Sequence, residues 1–243
     1  MPPASRLMPR MQFGSLDLSV IDPHVRDTQY IYDEIFGAEI YRHPKIKLPT
    51  APVLMDVGAN IGLFAIWAHQ AHKPKAIHCY EASPQTFTFL QDNVARLVDA
   101  KVTAVNTINR AVASTAGKSL TLHQSPLVSG ISTLLDKAKV PWVQQLSDSH
   151  ELVEHQVTTT TVSAEIARLG LSQVDLLKID VEGYFMEVLN GIAAADYVKI
   201  RNMVLEIDYA TEAGSSPDAV AKLLASKGYQ TEWREDLTLY AWR

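Results

Sequence analysis

Short apolar runs alternate along the chain with segments whose apolar residues return every three or four positions. Val53-Leu54-Met55 is such a run, of the kind that forms a strand buried on both faces, and Asp56 follows at its carboxyl end. Ala76–Tyr80, Val102–Ile108, VDLLKID at Val174–Asp180 and MVLEI at Met203–Ile207 read the same way. Helical spacing fills the intervals: Leu63–His72, Pro84 to about Val98 with the proline at the first helical position, Ala164–Leu169 capped by Ser163, Gly183 through Leu189, and Asp218–Ser226 opened by Ser216-Pro217. Lys118–His123 alternates as an added antiparallel strand, and QVTTTTV at Gln156–Val162 is strand-like by its β-branched content. Gly228–Arg234 and Leu237–Trp242 form a hairpin around Glu235-Asp236. This rhythm predicts an α/β domain with a mostly parallel sheet, helices on both faces and an antiparallel C-terminal hairpin at one edge.

Two stretches lie outside the alternation. Residues 1–26, rich in Pro, Met and small side chains, are expected as a loose lead-in with one short strand, followed by a single domain over 27–243. Within that domain, DTQYIYDEIFGAEIY at Asp27–Tyr41 has helical spacing at Tyr30, Ile31, Ile35 and Phe36, with Asp27 or Thr28 as N-cap and Gly37 as stop. This helix is either a lid packed over the sheet or an element that turns Tyr30 and Glu34 into a ligand cleft. From Gln124 to Leu152 the pattern breaks into Ser, Pro, Gly and Gln around Ser129-Gly130 and Trp142. A loop of that length reads as an acceptor-binding lid or as a surface excursion.

Composition narrows the class. The 243 residues are 47% hydrophobic and 20% charged, enough for one domain with a real core. A formal charge of −5, with no block of Lys and Arg, argues against nucleic acid or an anionic membrane as partner. The single cysteine, Cys79, falls inside an apolar run; it reads as a buried strand residue and suits a reducing, cytoplasmic setting. The N-terminal MPPASRLMPRMQFG carries positive charge but no apolar core of a secretory signal. No run of about 18 apolar residues could cross a bilayer. His69 and His72 mark a polar helix face, with no carboxylate motif beside them, and no metal is expected.

Candidate chemistry gathers at DVGANIG. After the Val53-Leu54-Met55 strand, Gly58 and Gly62 bracket Ala59-Asn60-Ile61 in a tight turn that brings backbone N–H groups and a helix start against a polar ligand. Glu81, at the tip of the second strand, suits a hydrogen-bonded grip on the 2′- and 3′-hydroxyls of a ribose. Dinucleotide binding wants G-x-G-x-x-G, whereas Ala59-Asn60 stand where the middle glycine would be. Asp56 would repel a pyrophosphate and attract the ammonium of a zwitterionic ligand. These residues favour S-adenosylmethionine over a nicotinamide dinucleotide.

DVGANIGLF, YEASP and VDLLKIDVEGYFMEVLNG together resemble the FkbM family of S-adenosylmethionine-dependent methyltransferases over roughly Tyr30 to Asp208. The upstream TQYIYDEIFGAEIYRHPKIKL is similar to members from polyketide and nonribosomal-peptide pathways. The resemblance implies a Rossmann-like, seven-stranded class I methyltransferase fold that usually methylates oxygen. It implies that Asp56, Gly58, Ala59, Asn60 and Gly62 shape the methionine end of the cofactor pocket. Glu81 would hold the ribose beside Ala82 and Ser83, and Asn109, Arg110 and Ala111 would border the adenine. Asp180 and Glu182 would face the methyl acceptor. Two departures stand out: Ser163 where an Asp is common, and Glu206-Ile207-Asp208 where Glu-x-His is frequent, which leaves the proton acceptor open among Asp180, Glu182 and Glu206. The implied acceptor is a small-molecule or carrier-protein-bound hydroxyl. An NAD-dependent oxidoreductase and a non-catalytic cofactor-binding module are the alternatives.

Overall fold

The computed structural model describes residues 8–21, 27–125, 132–135, 152–208, 215–234 and 237–243. The chain opens with β1 (Arg10–Phe13) and β2 (Leu16–Ser19), an antiparallel hairpin. Then come α1 (Asp27–Tyr32), a π-helical turn (Asp33–Gly37), β3 (Val53–Val57), α2 (Leu63–His72), β4 (Ala76–Tyr80), α3 (Pro84–Leu97) and β5 (Ala104–Ile108). The middle holds β6 (Ala111–Val112), β7 (Ser119–Gln124), β8 (Ser132–Thr133), β9 (Val153–Thr160) and α4 (Val162–Arg168). β10 (Leu176–Ile179), α5 (Phe185–Asn190), β11 (Asn202–Glu206), α6 (Pro217–Ser226), β12 (Gln230–Trp233) and β13 (Thr238–Trp242) complete it.

Seven strands form one sheet in the order β5-β4-β3-β10-β11-β13-β12. β5, β4, β3, β10 and β11 are parallel; β13 runs antiparallel to both β11 and β12. The Rossmann-like architecture read from the sequence is therefore present, with the closing hairpin at one edge. β3 and β10 are neighbours although two β–helix units separate them in sequence, so the strand order reverses here. That reversal opens the crevice in which α/β sheets place their ligands.

The central strands are apolar on both faces because both are covered. Leu54, Leu176 and Val204 point into a core shared with α2 and α3. Met55, Leu177, Met203 and Leu205 point into a second core with α4, α5 and α6. Period-two alternation between two apolar sides is what a doubly covered parallel sheet requires. β6, β7, β8 and β9 make a separate small sheet in the order β6-β9-β7-β8, with β7 antiparallel to β9 as its alternation predicts.

Three expectations are corrected. The N-terminal stretch holds two strands: Phe13, Leu16, Leu18 and Val20 are buried, and the Ser19 N–H donates to Asn93 Oδ1 at 2.7 Å. The helix expected over 27–41 is one α turn and a half followed by the π-helical turn, and it does stop at Gly37. The cap of α4 is Thr161, whose hydroxyl accepts from the Ala164 N–H at 3.0 Å; Ser163 Oγ accepts from Ala193 N–H instead. A second Ser/Thr two residues along can always compete for a cap, and backbone path decides between them. Most of the 124–152 loop, with Ser129, Gly130 and Trp142, lies outside the described residues.

Candidate functional site

A cavity of about 600 Å³ opens at the carboxyl ends of β3, β4, β10 and β11. Its first wall is the turn after β3. Gly58 has φ +80°, and a Cβ there would lie 1.7 Å from the Asp180 carbonyl oxygen, so a side chain is excluded by the neighbouring strand. Gly62 (φ +95°) is pressed against Leu90 and Val94 of α3 and does not line the cavity. Both glycines are dictated by packing between elements, and the part of the turn that lines the cavity is Gly58, Ala59, Asn60 and Ile61.

Glu81 closes this wall. Its Oε2 accepts from the Asn60 N–H at 2.9 Å and its Oε1 from the Ser83 N–H at 2.8 Å. The carboxylate plane is thus fixed by one donor from each of the two βα turns. A carboxylate offers about four acceptor positions, so others remain for hydroxyls from the cavity. Burial pushes the Glu81 carboxyl up to about 7 against the opposing pull of these two N–H donors.

The floor is built around a buried cation. Lys178 of β10 donates to the Gly58 carbonyl at 2.7 Å and lies 3.0 Å from Asp56 Oδ1 and 3.2 Å from Asp180 Oδ2. Its ammonium is 5.8 Å from the ring centres of Tyr41 and Phe64. Burial works against the charged lysine, but Asp56, Tyr41 and Asp180 outweigh it and hold Lys178 well above its ordinary range. Tyr41 Oη donates to Asp180 Oδ2 at 3.5 Å.

Opposite Glu81, the tips of β10 and β11 supply Asp180, Glu182, Glu206 and Asp208. Asp180 charge and then burial push the Glu206 carboxyl up to about 9. Burial, followed by the Asp208 charge, pushes Glu182 well above the carboxylate range. Asp208 is raised by burial and by Asp180, but the Gly183 N–H at 2.8 Å holds it to about 6. Glu182 and Glu206 are thus pushed further toward the protonated form than Asp208, as crowding of like charges in a low dielectric favours. Apolar and aromatic side chains complete the lining, Ile31, Leu134 and Tyr184 half-buried and Tyr30 and Leu237 exposed to solvent.

Of the residues singled out in the sequence, the structure brings Tyr30, Glu34, Gly58, Ala59, Asn60, Glu81, Ala82, Arg110, Ala111, Asp180, Glu182 and Glu206 onto one cavity. Asp56 is fully buried beneath it, facing Lys178, and so does not meet a ligand ammonium there. Ser83 caps α3 and bonds Gln124. The Asn109 amide donates to the Glu81 and Ala82 carbonyls, holding the strand tip from behind. Lys178, Tyr41 and Asp208 were missing from the candidate set. Lys178 stands two residues before Asp180 on the same strand face, a spacing that could have found it. Among the described residues no group of three or more His, Cys, Asp and Glu side chains is placed to hold a metal ion. No described helix is long and apolar enough to cross a membrane.

Comparison with known proteins agrees with this geometry. A family profile described as "Methyltransferase FkbM domain" matches residues 56–231. The chain is 30% identical over 233 residues to methyltransferase sdnD of Sordaria araneosa, covering 86% of this chain and 87% of that one. It is also 30% identical over 230 residues to the 31-O-demethyl-FK506 methyltransferase FkbM of Streptomyces tacrolimicus, covering 86% and 85%. Hexuronic acid methyltransferase AglP of Haloferax volcanii is 28% identical over 184 residues, with 74% and 64% covered. Matched from the glycine turn to the closing hairpin, and built on the seven-stranded sheet that presents that turn, the chain belongs to the FkbM family of S-adenosylmethionine-dependent methyltransferases.

Proposed function

We propose that the cavity binds S-adenosylmethionine with its ribose diol on Glu81 and its sulfonium end toward the strand tips of β10 and β11, and that the enzyme methylates a hydroxyl of a small natural product. The observation that carries this reading is the Glu81 carboxylate, fixed by N–H donors from two separate turns with acceptor positions left over. The adenine then extends along Arg110 and Ala111, and Gly58–Asn60 border the methionine end. When bound, the cofactor supplies an activated methyl group. The chain's own residues align the acceptor and exclude water, a positioning effect worth roughly 7–11 kcal/mol in favourable cases.

Oxygen as the methylated atom is supported by the acidic wall. A hydroxyl loses a proton on methylation, and carboxyls stand where it is lost. The apolar part of the lining suits the hydrocarbon body of a polyketide or peptide better than a free sugar. The Streptomyces tacrolimicus relative is named for an O-methylation, which agrees with this class of acceptor. A carrier-protein-bound acceptor belongs to the same reading. The nicotinamide alternative falls with the family assignment.

The test is titration calorimetry with S-adenosylmethionine and NAD, followed by transfer of labelled methyl to a panel of hydroxylated polyketides, peptides, hexuronic acids and carrier-bound hydroxyacyl groups. Binding of the sulfonium cofactor and label on an ether oxygen are expected. Label found only on nitrogen or carbon would overturn the acceptor chemistry.

A further inference from the structure

Methylation of a hydroxyl leaves one proton to be placed, and the cavity holds several carboxyls that differ in what already engages them. Asp180 Oδ2 is taken by Lys178 and by the Tyr41 hydroxyl. Glu206, pushed up to about 9, already holds a proton at neutral pH. Asp208 is different. It stands two residues past the end of β11, is 5% exposed, lines the cavity and accepts the Gly183 N–H. The Glu182 carboxyl lies close enough to interact with it. The turn that arranges this is left-handed at both residues, Glu182 at φ +50° and Gly183 at φ +88°. The Thr133 hydroxyl pins it further, donating to the Glu182 carbonyl at 2.8 Å.

We propose that the adjoining Glu182 and Asp208 carboxyls are the proton acceptor of methyl transfer, with Asp208 taking the proton. This rests on the placement of the sulfonium end against the β10 and β11 tips given above. Two carboxyls this close disfavour double ionisation, and the pair titrates as a unit. The Gly183 N–H favours charge on Asp208, so the resident proton sits on Glu182. The directions agree: Glu182 lies well above the carboxylate range while Asp208 is held to about 6. The other charged groups around the pair are Asp180, Glu206, Glu34 from the π-helical turn, and Lys178, which is itself engaged by Asp56 and Asp180.

In the step, the acceptor oxygen forms a bond to the methyl carbon, the carbon–sulfur bond breaks with its pair left on sulfur, and the hydroxyl proton passes to the Asp208 carboxylate. The products are a methyl ether and the neutral thioether. As the sulfonium charge disappears, Asp208 loses the cation that favoured its ionised form. It therefore becomes more basic as the proton arrives, and Brønsted behaviour makes a base near the working pH effective.

That coupling can be read without an acceptor, because S-adenosylhomocysteine reproduces the state after transfer. Calorimetry at pH 6.5 in buffers of differing ionisation heat gives the protons bound or released with each cofactor. The S-adenosylhomocysteine complex is expected to hold more protons than the S-adenosylmethionine complex. Asp208→Asn, which keeps an acceptor for the Gly183 N–H, should remove most of that difference. Glu182→Gln, which keeps an N–H donor toward Asp208, should retain it. Equal proton counts for the two cofactors in the wild type, or a difference untouched in Asp208→Asn, would overturn the proposal. Binding of neither cofactor would remove the placement on which it rests. With an alcohol that the panel shows to be methylated, Asp208→Asn should lose about 100-fold or more in kcat, and should lower affinity for S-adenosylmethionine more than for S-adenosylhomocysteine. Wild-type turnover in that variant would also overturn it.

Discussion

Glu81 and Lys178 are both buried charges, and their neighbours give them opposite consequences. Glu81 sits at about 7 because burial opposes its ionisation, while a ribose diol needs the ionised form. Cofactor affinity should therefore rise as pH goes from 6 to 8, and a Glu81→Gln variant should show a much shallower slope in calorimetric titrations. Glu81→Ala should weaken S-adenosylmethionine binding by about 1.5–3 kcal/mol through lost hydrogen bonds to a charged group. Lys178 is held in its charged state by Asp56 and Asp180. Lys178→Met would leave Asp56 buried without a counter-charge, a loss of about 3–5 kcal/mol. Thermal unfolding should register this as a Tm lower by about 6–20 °C.

At the scale of elements, the turn after β3 is as much a joint between strands as a ligand cradle. Gly58→Ala would drive a methyl into the Asp180 carbonyl and demand φ +80° of an alanine. The expected outcome is a displaced β3–β10 junction, seen as loss of both cofactor binding and soluble yield. The helix caps give a milder comparison. Thr161→Ala removes the hydroxyl that accepts from Ala164 N–H and should cost α4 about 1 kcal/mol in urea unfolding. The sequence offered Ser163 for that role because cap propensity is nearly the same for both residues. The backbone decides: Thr161 is extended, at φ −122° and ψ 156°, as a cap must be, and Ser163 is already inside the helix.

For the whole molecule, raised carboxyls tie stability to pH. An acid whose folded-state pKa lies above its unfolded value binds more protons when folded, so its contribution is present below about pH 4.5 and is lost as pH rises through the folded value. Glu206, at about 9, and Glu182 are such groups, so Tm should fall between pH 5 and 9, less steeply in Glu206→Gln. The N-terminal hairpin matters at the same scale. It buries Phe13, Leu16, Leu18 and Val20, and Arg96 of α3 donates to the Asp17 carbonyl at 2.9 Å. Removing residues 1–20 should lower Tm and expose apolar surface to a hydrophobic dye.

The sequence by itself determined the parallel strands, the order in which strands and helices follow one another, and the glycine turns that follow β3 and β10 beside the cavity. These are local properties: a doubly covered strand is mostly apolar, and a position at φ +80° pressed on a neighbouring carbonyl, as Gly58 is, requires glycine. Only the tertiary structure decided which charges meet. Asp56 and Lys178 are 122 residues apart, as are Val53 N–H and the Asp175 carboxylate that accepts from it at 2.8 Å. Whether a carboxylate faces ligand, lysine or another carboxyl depends on strand register, β3 against β10 and β10 against β11. Register is set by the packing of both sheet faces at once, which no window of the sequence contains. For the same reason the N-terminal hairpin looked loose: its apolar residues join a core that includes Leu90 and Val94 of α3, and Ser19 bonds Asp92 and Asn93, all some 70 positions away.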